Sequence, residues 1–223
     1  MEERSKSKSA KPMINFYKTI KQVKKANPYF DEHHLKAIFR GIICTASGGG
    51  KTNLLMNILY QMSDTYWKII IITKEQEPLY DMLKERLKER VDIYYEGNLP
   101  DLPALTKRES GIVIFDDMVL SQTKQIGEVF IRCRKQEYAA IFISQSYFGI
   151  NKIIRQNCNY IWLGRGILDR DLKMILSEYS IKIGKEKMIY LYNKITEKPM
   201  HFMLVDLDTR TIREDINEII LKY

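Results

Sequence analysis

The eight residues Thr45-Ala46-Ser47-Gly48-Gly49-Gly50-Lys51-Thr52 constrain this chain more than any other stretch. They follow the apolar run Ile38 to Cys44, which reads as a buried strand, and precede Asn53 to Leu59, which reads as a helix. A strand, a glycine-rich turn and a helix in that order make an anion cradle. Backbone N–H groups converge at the helix start, the helix dipole favours negative charge there, and glycines let the main chain approach without a Cβ in the way. On this reading Ala46, Ser47, Gly48, Gly49, Gly50, Lys51, Thr52 and Asn53 surround a nucleotide's phosphates. Lys51 reaches the β- and γ-phosphates, and the Thr52 hydroxyl ligates Mg²⁺. The alternative is a glycine-rich β-to-α turn that binds nothing.

The full P-loop pattern asks for glycine where this chain has Thr45. A β-branched residue needs ordinary backbone angles there, so the loop's entry is expected to differ from the glycine form.

At 223 residues the chain suits one α/β domain with small additions. Neither a membrane span nor a secretory leader is legible, so a soluble, intracellular protein is expected. Cys44, Cys133 and Cys158 are widely spaced and read as reduced core thiols. His33 and His34 are adjacent and His201 is remote, which gives a zinc site little support. Thirty-six basic residues against 28 acidic ones leave a net charge of +8, a balance that favours polyanionic partners or is simply a solvated face.

Along the chain, residues 1–12 read as a disordered basic tail and 13–37 as a helical extension, with Ile14 to Lys25 an amphipathic basic helix. Residues 38–223 read as one domain. Trp67 to Thr73 is expected as a strand buried on both faces, Leu79 to Leu87 as a helix opened by Pro78, Val91 to Tyr95 as a short strand and 97–103 as a loop. Gly111 to Phe115 is a further strand, and it delivers Asp116 and Asp117 at its C-terminal end, where ligands of open α/β sheets bind. Asp116 would hold Mg²⁺ and Asp117 would polarise an attacking water. A strand that ends in a solvated Asp-Asp turn is the bland reading.

A helix from Lys124 to about Lys135 then leads into the buried strand Ala139 to Ser144. Gln145 at its end either bonds a γ-phosphate and a catalytic water or caps the next turn. Helices at 150–156 and 169–179 flank a strand at 160–163. Met188 to Tyr192 and His201 to Val205 read as a hairpin, and Ile212 to Leu221 as a closing amphipathic helix.

This set of motifs resembles the additional-strand class of P-loop ATPases, RecA-like proteins with a mostly parallel sheet flanked by helices. Within it the chain is similar to the FtsK/HerA superfamily, above all to the genome-packaging ATPases of poxviruses, other large DNA viruses and virophages. The stretch Arg132 to Ser146, a helix ending in basic residues, a strand and then Ser-Gln, carries most of that likeness, with Phe115-Asp116-Asp117 beside it. The resemblance implies ATP and Mg²⁺ as cofactors. Lys51 and Thr52 would act on phosphate and metal, Asp116 on metal, Asp117 on water and Gln145 on the γ-phosphate. Arg134 stands where the family has an arginine that a neighbouring subunit presents to the nucleotide, with Arg155 and Arg165 as rivals and a plain surface arginine as the alternative.

The resemblance further implies a ring of five or six subunits that drives double-stranded DNA into a capsid through a capsid or portal-vertex partner. It would work in the host cytoplasm or a virus factory, with the virion as a further location. Lys84 to Arg90 and the N-terminal arm are the candidate pore segments. The alternatives are a non-viral DNA-pumping motor of the same kind, or a nucleotide-binding interaction module without turnover.

Overall fold

The computed structural model describes residues 15, 27–95, 110–120 and 123–223. The basic tail, the helix at 14–25 and the loop at 97–103 therefore lie outside the described residues.

Nine strands form one sheet in the order β3-β2-β4-β5-β1-β6-β7-β8-β9. In chain order they are β1 (Arg40–Cys44), β2 (Lys68–Thr73), β3 (Val91–Tyr95), β4 (Gly111–Asp116), β5 (Tyr138–Ser144), β6 (Tyr160–Leu163), β7 (Met203–Asp206), β8 (Thr211–Glu214) and β9 (Glu218–Lys222). The first six pair in parallel, and β7, β8 and β9 add an antiparallel meander to β6. Space order departs from chain order at the decisive place: β5 is inserted between β1 and β4. The ends of the phosphate-loop strand and the acidic strand are thereby separated by β5, the strand that leads into Gln145.

The parallel strands are apolar on both faces because helices cover both faces. Ile43, Ile71, Ile114 and Ile141 pack with α2 (Lys51–Gln61) and α3 (Pro78–Leu87). Ile42, Val113, Phe115 and Phe142 pack with α4 (Thr123–Arg132), α5 (Lys152–Gln156), α6 (Asp169–Glu178) and α7 (Lys185–Thr196). The short α1 (Phe30–His33) leads to Leu35 and Phe39, which join the first of these layers. Each fully buried Ile or Phe contributes roughly 1.5–3 kcal/mol, so the sheet centre fixes the positions of the strand ends.

Two C-terminal expectations fail. Met188 to Tyr192 is not a strand but the middle of α7, whose buried residues Met188, Leu191, Tyr192 and Ile195 recur at helical spacing. Nor is Ile212 to Leu221 a helix. Asp215 takes a left-handed backbone (φ 54°) that stops any helix there, and the flanking residues become β8 and β9. The open edge of β7 supplies the hydrogen-bond partners that a surface helix would have made within itself. The hairpin thus exists, but it is built from β7 and β8 and extended by β9.

Buried charge holds this meander. Arg213 and Asp206 are an ion pair with side chains 1% and 0% exposed. The guanidinium also donates to the His33 carbonyl (3.1 Å) and to Thr211 Oγ1 (3.2 Å), while Asp206 Oδ1 accepts from the amides of Asp208 and Thr209, both at 2.9 Å. Every charged atom therefore has a partner, which a buried pair requires.

Candidate functional site

The C-terminal ends of β1, β2, β4 and β5 open on one cavity of about 450 Å³. Register explains the convergence: Asp116 lies level with Thr73 on β2 and with Ile143 on β5, and Ile143 is level with Ile43 on β1. The residues that follow these positions therefore leave the sheet at one height. Ser47, Gly48, Gly50, Lys51, Thr52 and Asn53 form one wall, Asp116, Asp117 and Gln145 the floor, and Thr73 to Glu77 with Leu79 the opposite wall.

The cradle has the chemistry of an anion site. Helix α2 begins at Lys51 with Gly50 as its N-cap, and no side chain caps it, so its first N–H groups stay available to a ligand. Gly48 and Gly50 take φ values of 71° and 88°, a conformation that turns successive amides toward one side. No acidic residue occupies the first turn of α2.

Thr45 is accommodated rather than strained. It keeps a negative φ, is fully buried, and donates its hydroxyl to the Arg165 carbonyl at 2.7 Å. The space comes from its neighbours: a Cβ at Gly49 would lie 2.1 Å from Thr45 Oγ1, and one at Gly164 2.6 Å from it. Ala46 and Gly49 do not line the cavity. Their amides are already engaged, that of Ala46 with the Arg165 carbonyl and that of Gly49 with the Ala46 carbonyl, each at 3.0 Å.

On the floor, Asp116 accepts a hydrogen bond from the buried Tyr80 hydroxyl at 2.7 Å. Burial raises the Asp116 pKa above the usual carboxylate range, while Tyr80 and the charge of Lys51 pull it down. Burial, followed by the Asp116 charge, pushes the Tyr80 phenol far up, so it stays a proton donor; a hydrogen bond with Thr52 acts the other way. Tyr80 thus joins the two expected metal ligands, Thr52 and Asp116. Sequence reasoning missed it, because a tyrosine on the inner face of α3 looks like any core aromatic. Asp117 is exposed, with φ 54°, a conformation aspartate tolerates, and its amide donates to the Ile143 carbonyl at 3.1 Å.

The arginines fall in three different places. Arg134 is exposed in the turn before β5, at the opposite end of that seven-residue strand from Gln145. At about 3.3 Å per residue, the strand holds it roughly 20 Å from the cavity of its own chain. Arg155 is bound to Glu178 (2.7 Å) and to the Phe148 carbonyl (3.3 Å), a structural role. Arg165 is exposed beside the phosphate loop and donates to the Glu197 carbonyl at 2.8 Å.

A parallel sheet with a strand inserted between the glycine-loop strand and the acidic strand, covered by helices on both faces, defines the fold of the additional-strand P-loop ATPases. Solved structures agree. The genome packaging NTPase B204 of Sulfolobus turreted icosahedral virus 2, in complex with ATP-gammaS, is similar with a TM-score of 0.60 at 16% identity, over 81% of this chain and 97% of that one. The DNA-packaging ATPase B204 of Sulfolobus turreted icosahedral virus gives 0.58 at 16% identity, over 79% and 96%. The cytoplasmic domain of the type VII secretion ATPase EccC of Thermomonospora curvata gives 0.52 at 12% identity, over 77% of this chain and 25% of that one. No protein-family model and no curated protein matches the sequence.

Proposed function

We propose that this chain is an ATP-hydrolysing motor that packages double-stranded DNA into a capsid as a ring of five or six subunits. The observation that carries the reading is the single cavity bringing together Lys51, Thr52, Asp116, Asp117 and Gln145. The fold shared with B204, along nearly that protein's whole length, supports it, as does the net charge of +8. The narrower likeness to poxvirus and virophage enzymes belongs to this proposal, as does action inside the host cell on a capsid or portal partner. Among the described residues no helix is long and apolar enough to cross a membrane.

In this reading the free amides of Gly48, Gly50 and the first turn of α2 hold the phosphates, and Lys51 neutralises charge on the outer ones. Thr52 and Asp116 would hold magnesium, which supplies further charge neutralisation when bound. Asp117 orients and polarises the attacking water, and Gln145 hydrogen-bonds where the γ-phosphate ends. Arg134, too far from its own cavity, would serve only a neighbouring subunit in the ring. Transport of any sequence needs contacts with the DNA backbone alone.

The test is ATP turnover by the full chain with and without duplex DNA, measured alongside particle mass over a range of protein concentrations. Duplex DNA is expected to stimulate turnover several-fold as oligomers form. Turnover indifferent to DNA at every oligomeric state would exclude the motor and leave a nucleotide-binding module or a DNA-independent ATPase.

Tyr80 gives a sharper expectation. Removing a partner that orients a metal-ligating carboxylate costs about 10–100-fold in metal affinity. Tyr80→Phe should therefore raise the half-saturating magnesium concentration for ATP turnover by about tenfold, with a stability loss of only about 1 kcal/mol. An unchanged magnesium dependence would reduce Tyr80 to a core residue.

A further inference from the structure

We propose that His201, Glu214 and Asp215 form a binding site for a divalent transition metal of the zinc class, separate from the phosphate cavity. His201 Nδ1 lies 3.0 Å from Glu214 Oε1 and 3.0 Å from Asp215 Oδ2, and the three candidate ligand atoms all fall within 4.8 Å of one another. Among the described residues, His201 is the only basic side chain paired with either carboxylate.

Geometry separates this cluster from an ordinary surface ion pair. The Nδ1 atom is sealed from solvent and has no hydrogen-bond partner, although both carboxylate oxygens stand 3.0 Å away. Two anionic oxygens thus stand close to a nitrogen that neither of them satisfies. A cation held by Nδ1 at the roughly 2.0–2.2 Å of zinc bonds to imidazole and carboxylate would have both oxygens as its nearest anionic neighbours. Tetrahedral ligand atoms around zinc stand about 3.3–3.5 Å apart, so the two 3.0 Å distances from His201 need to open by only a few tenths of an ångström.

The ligands are also pre-oriented. The Phe202 amide donates to Asp215 Oδ1 at 2.8 Å, which leaves Oδ2 facing His201. The Asp215 amide donates back to the Phe202 carbonyl at 2.7 Å, and the Asp215 carbonyl accepts from Trp162 Nε1 at 3.1 Å. Outer bonds of this kind fix metal ligands in place. One imidazole with two carboxylates suits zinc better than the soft copper(I), which prefers sulfur. With three protein ligands, a fourth position remains for water or another group.

The position gives the site a consequence. His201 follows Met200, and Met200 Sδ fills the space at Gly50, the N-cap of the phosphate-loop helix: a Cβ there would lie 2.3 Å from the sulfur. A metal that ties His201 to the corner between β8 and β9 would pin the loop between α7 and β7 against the phosphate loop.

The experiment is calorimetric titration of the chelator-stripped, nucleotide-free full chain with Zn²⁺ alone, repeated with Co²⁺ followed by visible absorption. The parent should bind one equivalent lost, or weakened by about tenfold or more, in both His201→Ala and Glu214→Gln, and retained in Asp116→Asn. Cobalt should give the intense visible bands of a four-coordinate site, absent from both cluster variants. Glu214→Gln keeps size and hydrogen bonding, so it carries the test should His201→Ala fail to fold by circular dichroism. No binding by the parent, binding that survives Glu214→Gln, or binding abolished only by Asp116→Asn would each overturn the site.

Discussion

Lys51→Ala protein is expected to fold as the parent does and to turn over ATP at least 10²-fold more slowly, the scale on which removing one preorganised charge-stabilising donor acts. The lysine is only half-buried at the first residue of α2, and alanine is the best helix former, so the fold gives no reason for collapse. What disappears is the positive charge that faces Asp116 and that, in the proposed function, would face the phosphates. Steady-state turnover, with thermal melting as the control, makes the comparison. Turnover equal to the parent's would end the assignment of this cavity as the hydrolytic centre.

The largest stability effect should come from far outside that cavity. Arg213→Met leaves the Asp206 carboxyl, with no exposed side-chain surface, without its paired guanidinium, and breaking a buried pair in this way costs about 3–5 kcal/mol. The Arg213→Met/Asp206→Leu double variant removes both charges and should recover most of the loss, since an apolar replacement of a buried pair is often neutral. Urea unfolding of the two variants against the parent measures the difference. Equal stability of the single variant and the parent would show that the ion pair does not hold the meander. Because Arg213 also holds the His33 carbonyl, the single variant should loosen the α1 segment together with the meander.

Fold and cavity were unequally legible in the sequence. The parallel strands announced themselves, since unbroken runs such as Ile69 to Ile72 and Ile112 to Phe115 fit only strands covered on both sides. Local motifs were equally plain, because a glycine turn before a helix or a carboxylate after a strand is a property of neighbouring residues. Tertiary choices were hidden. Ile212, Ile216, Ile219 and Ile220 carry a helical period, and only the unpaired edge of β7 draws their segment into strands. In α7 the reverse error arose: five consecutive apolar residues masked the three- and four-residue spacing of those that are buried. Tyr80 meets Asp116 from 36 residues away, and spacing along the chain carries no trace of that; His201 meets Glu214 and Asp215 across the β7–β8 hairpin, whose second strand reads as helix in the sequence.

The three thiols bear on how this protein can be handled at the bench. Cys44, Cys133 and Cys158 are its entire complement of cysteine, all are buried, and burial raises the Cys44 and Cys133 pKa to about 12 and about 11 and that of Cys158 higher still. Thiolate, the form that maleimides attack, is therefore scarce and sheltered at neutral pH. The natural sequence already serves as a silent background for dye labelling: one cysteine introduced at an exposed position would take the fluorophore alone, with no need to strip the native ones first.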